Sequence, residues 1–581
     1  MRATQTLFGW LVGGLVAQAA LASSPPAPSQ GPAEARMLLR ESRPDELAPA
    51  AAPKANAYGI EWDARAAEHL LNRAGFGARR SEIDAFVARG LEASVGYLLN
   101  ERVDSDPFFV QRYGPDYRAM RDMSEMERDK IKRQIKRDER QQMEDFRQWW
   151  FERLMSGDER LQERMTLFWH GFFTSSPQGV RRTFELLNQN MLVRKHALGN
   201  YADLLREMVR DPALLMYLDN HVNKKGKPNE NFARELMELF SLGEGNYTEG
   251  DVKEAARAMT GRASNGDGHY VFRKGAHDRG RKTILGRTGR FDGDDLVDIL
   301  LEQDACPRWV AYRFLTYMEG AEPGEERLNE YATLLRTKNF EMKPLLRKLF
   351  TDPHFYSDEV VAARVSSPVD YLVGTARRLG IEPPGQLLHL SSSALGEKLC
   401  FPPNVKGWEG GMAWVTTASL MQRGNFAGLM LGVVDVKDVV AEDDWDGDES
   451  MMDAKGMGDE DDSMMMGERA ADSGKSKTKM PTELRAWSRV RGTWRSHLNL
   501  TSRLTKHGVQ TDAEIVDLLL DELLAVDTTG DSRERMLDYL SHERRTLGTL
   551  EGKLLDGDPD HEKLLRRLAH LILSLPEAQL V

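Results

Sequence analysis

The chain has 581 residues, of which 41% are hydrophobic and 29% charged, with a net charge of -12 and a mean hydropathy of -0.52. Two cysteines and no second apolar run approaching twenty residues exclude a disulfide scaffold and a multi-pass membrane protein, and the composition is not collagenous. What remains is a globular protein, long enough for about two to four domains or one large domain with extensions.

Arg2 precedes an apolar stretch over residues 7–22, and Ala20-Leu21-Ala22 supplies the small residues of a cleavage site. Residues 1–22 therefore read as a secretory signal peptide. Ser23, not Cys, follows the cut, so nothing suggests a lipoprotein, and the mature protein is expected to be exported, to the periplasm or beyond the cell. Residues 23–57 are rich in Ala, Pro and Ser and read as a flexible tether.

From Trp62 the pattern is helical: Ala66, Leu70 and Ala74 recur every four residues, Gly75-Phe76-Gly77 stops the helix, and Ser81 with Asp84 is placed to cap the next. A charged segment over 124–154 carries Ile131, Ile135, Met143, Phe146, Trp150 and Leu154 on one apolar stripe, with mixed charges on its solvated face. Further helices are predicted over 159–173, 181–197, 201–209, 231–242, 248–260, 294–302, 307–318, 325–338, 342–350 and 367–379. Only 269–272 and 283–285 look extended, and together they suggest one hairpin.

The predicted fold class is mainly α, a large multi-helix, bundle-like body with one small β-hairpin and long irregular loops. A main helical domain over 58–425 is followed by a linker over 426–481 and a C-terminal helical segment over 482–581 that packs on the main domain. Within the linker, residues 441–468 hold twelve acidic residues, one Lys and six Met, a net of -11, and read as a disordered acidic Met-rich insert. The rest of the mature chain is then close to neutral, which removes the charge argument for nucleic acid or for long-range steering. Asp444-Trp445-Asp446-Gly447-Asp448 lacks the ligand spacing and closing Glu of a calcium loop.

Cys306 and Cys400 lie 94 residues apart. A bridge across that interval would stabilise by about 4 kcal/mol; two buried thiols are the equal alternative.

The most concentrated polar cluster is Asn229-Glu230-Asn231-Phe232-Ala233-Arg234-Glu235-Leu236-Met237-Glu238-Leu239. On a helix from Asn231, Glu235 and Glu238 follow at i+4 and i+7 on one face, where two carboxylates can hold a metal or act as an acid/base pair. The structural reading is that Asn231 caps the helix and the carboxylates pair with Arg234 or other arginines. His170 sits amid aromatics in Trp169-His170-Gly171-Phe172-Phe173 and reads first as a hydrogen-bonded core histidine. Asp219 and Asn220 leave a helical run as caps or oxygen ligands. His277 and Asp278 occupy a turn whose chemistry Asp278 and Gly280 explain.

Residues 275–283 lack the spacing and the preceding strand of a phosphate loop, and neither a G-x-S-x-G elbow nor an H-E-x-x-H helix occurs. In the Pro-, Gly- and Trp-rich loop over 401–414, Trp408 and Trp414 could stack on a sugar ring, though tryptophans that pin a loop to a helical core are commoner.

These segments, taken in order, resemble the bacterial domain-of-unknown-function family 1800. The resemblance rests on Ala67-Glu68-His69-Leu70-Leu71-Asn72-Arg73-Ala74-Gly75-Phe76-Gly77, residues 165–173, Tyr217-Leu218-Asp219-Asn220, residues 229–239 and 247–261, His277-Asp278 with Lys282 and Gly286, and the 402–414 loop; it resumes at 571–578. It implies an exported, largely helical bacterial protein, often encoded beside a secreted sulfatase-like or phosphatase-like protein, and no established activity. Arg262 stands where the family typically has Trp after Thr-Gly.

Two functions follow as expectations. The first is an exported scaffold or binding protein that docks a secreted partner or envelope polymer, with Asn231, Arg234, Trp408 and Trp414 as binding residues. The second is a metal-dependent or carboxylate-based envelope hydrolase, in which Glu235 and Glu238 act with His170, Asp219, His277 and Asp278 as ligands of a divalent metal.

Overall fold

In the computed structural model the described residues are 56–100, 107–114, 120–434 except 181 and 362, and 494–581 except 495 and 529. The expected signal peptide, the tether up to residue 55 and the acidic insert lie outside them. Among the described residues, 60% of the structure is helical. In chain order come α1 (Ala64–Ala74), α2 (Arg80–Arg89), α3 (Leu91–Leu99), α4 (Glu125–Ser156), α5 (Arg160–Phe172), α6 (Thr183–Lys195), α7 (Tyr201–Met208), α8 (Pro212–Tyr217) and α9 (Asn231–Met237). A π-helical turn (Glu238–Leu242) continues α9 and precedes α10 (Glu249–Ala258). After the strands come α11 (Gly293–Glu302), α12 (Ala305–Glu319), α13 (Glu325–Thr337), α14 (Met342–Phe350), α15 (Pro368–Leu379), α16 (Gly385–Ala394) and α17 (Thr417–Leu431). The C-terminal helices are α18 (Leu500–Lys506), α19 (Asp512–Leu523), α20 (Ser532–Thr546) and α21 (Pro559–Leu573).

The fold is mainly α, with two small antiparallel sheets rather than one hairpin. β1 (Arg262–Ser264) pairs with β2 (Tyr270–Phe272), and β3 (Lys282–Ile284) with β4 (Arg287–Gly289). The two segments predicted as extended thus take different partners, because each has its own tight return: residues 265–269, and Leu285-Gly286 with both residues at positive φ. Helix α2 begins before Ser81, and Glu82 rather than Ser81 closes its first turn by accepting the Arg79 N–H at 2.7 Å. Of the stripe expected on α4, burial begins only at Gln142, and Ile131 and Ile135 are half covered. Helix α17 runs through the boundary expected at residue 425.

Two hydrophobic cores organise the body. One gathers apolar side chains of α1 to α3, α7, α9 to α14 and the π-helical turn; the other gathers those of α4 and α15 to α21. Helix α5 lies between them, with Leu161, Met165, Phe168, Trp169 and Phe172 in the first core and Leu167 in the second. All of its residues except Gly171 are buried, Glu163 and Arg164 included.

Charges in such a position must be paired. Glu163 accepts from Trp150 Nε1 at 2.9 Å and Arg153 Nε at 2.7 Å, and pairs with Arg194. Arg164 donates to Asp370 Oδ1 at 2.6 Å, to the Asn72 carbonyl at 3.1 Å and to the Gly75 carbonyl. Asp370 also accepts from Arg364 at 2.5 Å and from the Ser367 N–H at 3.3 Å, closing the capping box at the start of α15. Burial alone would push the Asp370 carboxyl up, but Arg164 and Arg364 overcome it and hold it down at about 2. A second tie runs from Glu82 to Arg377 at 2.8 Å and to Arg160 at 2.9 Å.

The C-terminus closes the second core. Ser366 N–H donates to the Gln579 carbonyl at 2.8 Å, Val581 N–H to the Arg364 carbonyl at 2.9 Å, and Arg423 to Gln579 Oε1 at 3.0 Å. Cys306 lies in the first core and Cys400 in the second, both free and buried, and burial pushes each thiol up to about 12. Arg262, the departure from the family pattern, is buried on β1 and pairs with Asp294 at 2.8 Å, which Arg210 also binds at 2.8 Å. A methyl group on Gly293 would come within 2.3 Å of the Arg262 Nε, so a larger residue there would displace the Arg262 side chain.

Replacing Asp370 by Ala leaves two buried arginines without their anion and is expected to cost about 3–5 kcal/mol, read as a lower urea midpoint. Because its folded pKa is depressed, the carboxylate's stabilising contribution is complete above the ordinary value of 3.8 and is lost as pH falls toward 2. A variant that melts like wild type at pH 7 would refute the pairing.

Candidate functional site

The C-terminal end of α5 is the hub of the site. Phe172 and Phe173 pack against Phe240 of the π-helical turn, with ring centroids 6.5 and 5.3 Å apart. On the other side the loop over 402–414 lies against the same helix end. Gly407, at φ +84°, comes so close that a Cβ would stand 2.7 Å from the Gly171 carbonyl oxygen, and Thr174 Oγ1 donates to the Val405 carbonyl at 2.6 Å.

A π-helical ladder leaves carbonyls that the α pattern would have satisfied, and side chains supply the donors. Ser241 Oγ donates to the Leu236 carbonyl at 2.6 Å, Trp309 Nε1 to the Leu239 carbonyl at 2.8 Å, and Tyr201 OH to the Phe240 carbonyl. Such turns are rare and recur at functional sites because the surroundings must hold them in place. Here the turn begins at Glu238, so the two glutamates sit where the ladder changes.

Both carboxylates are half-buried. Glu238 accepts from Tyr247 OH at 3.0 Å and has Lys406 Nζ at 3.9 Å. Glu235 has no hydrogen bond or ion pair among the described residues. Burial first, then the Glu238 charge, raises its pKa, with Lys406 and Arg234 opposing. The Tyr217 phenol is pushed up by burial and by Glu235, which places it beside that carboxylate, and its ring lies where a Cβ on Gly179 would stand, 2.6 Å from Cδ2. The face is therefore built by α8, α9 with its π-helical turn, Tyr247 and the 402–414 loop.

The remaining predicted residues have other employment. Asn231 is exposed and does not cap; its N–H donates to Asn229 Oδ1 at 3.0 Å, and Glu230 holds the cap position without a side-chain bond. Arg234 pairs with Glu249 at 2.7 and 2.8 Å and with Glu230 at 3.4 Å, not with Glu235 or Glu238. His170 accepts the Cys400 N–H on Nε2 at 3.0 Å, between Trp150 and Trp408, and burial with Arg147 and Arg194 lowers its pKa to about 4. It is a neutral core histidine with its proton on Nδ1. Cys400, at φ +59°, turns the chain into the loop at that contact.

Trp408 pins the loop against His170, and the partly exposed Trp414 rests near Gly396. Asp219 is exposed in the left-handed conformation after α8, while the buried Asn220 donates to the Met259 and Arg262 carbonyls at 3.2 and 3.0 Å. Asp278 binds Arg257 at 2.8 Å, which with the Gly280 N–H holds its carboxyl at about 2, and His277 Nδ1 is 3.0 Å from the Thr260 carbonyl. Lys282 donates to the carbonyls of Asp278, Gly280 and Phe291, so this segment is a knot of turn chemistry. Among the described residues, no three His, Cys, Asp or Glu side chains are grouped to hold a metal ion. With His170 Nε2 and the Asp278 carboxylate engaged in protein hydrogen bonds, the expected donors do not fit one.

Tyr217, Tyr247 and Lys406 escaped sequence reasoning as site members. Each stands inside a segment that was legible as a motif, but nothing in residue spacing brings the end of α8 and two separate loops to one pair of carboxylates.

Fold and site together define a mainly helical protein with a carboxylate-bearing face on a π-helical turn. The chain belongs to the family described as protein of unknown function (DUF1800), whose model matches residues 69–580, nearly its whole length. Neither a curated protein nor a solved structure matches it. No helix among the described residues is long and apolar enough to cross a membrane.

Glu238→Gln is expected to lower the Glu235 pKa while leaving it above the ordinary 4.5, because burial, the larger cause, stays. Carbon NMR titration of labelled glutamate carboxyls measures this. An unchanged Glu235 titration would separate the two side chains.

Proposed function

We propose that the chain is an exported helical binding protein whose face around Glu235 and Glu238 docks a secreted partner or an envelope polymer. The observation that carries this reading is Glu235, a half-buried carboxylate without a protein donor, next to a second carboxylate on a turn that neighbouring side chains hold in an unusual ladder. A group so placed has acceptor capacity to spare, and its complement is a ligand bearing hydroxyl or ammonium donors. The N-terminal pattern of residues 1–22 supports export. The partly exposed Trp414 with the exposed Met412 supplies apolar contact nearby on the same loop.

A second reading, a carboxylate-based hydrolase, is favoured by the raised Glu235 pKa. In that reading Glu235, whose pKa burial and Glu238 raise, is the acid, and Glu238, which the Tyr247 hydroxyl hydrogen-bonds, is the base on one helix face.

Co-sedimentation of the mature protein, from Ser23 onward, with isolated envelope polymer tests the binding reading. The Glu235→Ala, Glu238→Ala double variant is expected to bind at least about tenfold more weakly, more than about 1.4 kcal/mol, with an unchanged melting curve. Equal binding by both proteins, or none by either to polymer or to co-expressed secreted proteins, would overturn it. Turnover of the polymer that follows a single acidic group near the Glu235 pKa would move the account to the second reading.

A further inference from the structure

Each strongly buried arginine described above has a protein acceptor; the half-buried Arg313 has none among the described residues. It lies on α12, half-buried, with its guanidinium carbon 4.9 Å from the Phe172 ring centroid and 5.6 Å from that of Trp309. No hydrogen bond or ion pair joins it among the described residues. Burial lowers its pKa, and the one titratable group that bears on it is the Tyr312 phenol, whose hydroxyl is turned to Glu322 at 3.2 Å. No carboxylate is in play.

The two aromatic faces offset part of the cost of desolvating the cation. The rings accept no conventional hydrogen bond, so the five N–H donors of the guanidinium are left without protein acceptors. An arginine with its donors free and its cation held beside two rings is suited to bidentate recognition of an oxyanion. The platform is itself rigid: Phe172 is fully buried in the first core, and Trp309 is held by its Nε1 bond to the Leu239 carbonyl and by stacking on Tyr312, with centroids 5.8 Å apart.

We propose that Arg313, on its platform of Phe172 and Trp309, is a binding site for an oxyanion group: a carboxylate, or a sulfate or phosphate, free or as an ester on a polymer. The site is separate from the Glu235 and Glu238 pair and does not require that reading to hold. Trp309 nevertheless links them, because the indole that carries the guanidinium also satisfies a carbonyl of the π-helical turn.

The test is melting temperature and calorimetric titration of the mature protein with sodium sulfate, phosphate and glucuronate, each against chloride at equal ionic strength. Dextran sulfate and unmodified dextran are the polymer arms. Wild type is expected to show a saturable rise with at least one oxyanion, absent in Arg313→Met and weakened several-fold in Arg313→Lys, which keeps the charge but not the planar fork. Response to the inorganic ions alone identifies a free-ion site, and response to dextran sulfate but not dextran identifies a polymer-borne ester. A wild type that responds to none of the probes beyond chloride, or a saturable response that Arg313→Lys and Arg313→Met both retain in full, would overturn the proposal. If Arg313→Met does not fold, Arg313→Lys carries the comparison. Because Glu235 and Glu238 are untouched in both variants, failure here leaves the carboxylate reading standing, and equal polymer binding by wild type and the double glutamate variant, which overturns that reading, leaves this one standing.

Discussion

Asp370 is the carboxylate on which the two cores meet. It closes the capping box of α15 and, with the same two oxygens, neutralises Arg164 on the central helix and Arg364 on the segment before α15. Arg164 in turn ties α5 to the carbonyls of Asn72 and Gly75, at the end of α1. A helix buried on all sides usually has apolar residues on all sides; α5 instead carries charges inward, and each must find its complement from a different part of the chain. Replacing such a pair by apolar groups can be neutral, whereas losing one partner is severe, so the pair fixes register and orientation more than it adds net stability.

The site inherits that orientation. With α5 fixed, its last residues set where the 402–414 loop lies, through Gly171 and Thr174, and where the π-helical turn lies, through Phe172 and Phe173. The widened ladder then depends on donors from α7, α12 and its own Ser241. Glu235 and Glu238 are thus held by rigid elements on several sides. That is the condition under which a half-buried, partnerless carboxylate keeps its place without collapsing onto the nearest arginine. Arg234, the nearest in sequence, is drawn off by Glu249 and Glu230.

Much of the helical content was legible because α11 to α14 bury one stripe and leave another partly or fully exposed. Helix α16 was not: residues 387–392 are all buried, so no period remains, and Ser391-Ser392-Ser393 reads as turn chemistry. Helix α17 hid for the same reason, with residues 426–431 buried in succession. The pair Glu235 and Glu238 was visible from its spacing. The π-helical turn beneath it was not, since its three donors come from tertiary neighbours and from a serine that resembles any other. His170 reads from the sequence both as a core histidine and as a metal ligand; the Cys400 N–H that it accepts lies 230 residues away, beyond any sequence pattern. Arg262 stood out in the sequence only as a departure from the family's Trp; its ion pair with Asp294, packed closely over Gly293, comes from a residue more than thirty positions away.

The central claim is that the buried joint at Asp370 positions the carboxylate face from a distance. Amide hydrogen exchange on the folded Asp370→Asn protein tests it most directly. The account predicts that protection falls not only in α5 and at the start of α15 but also across residues 236–242 and 402–408. If exchange quickens near residues 364–370 alone and the π-helical turn and loop keep wild-type protection, the joint does not position the site.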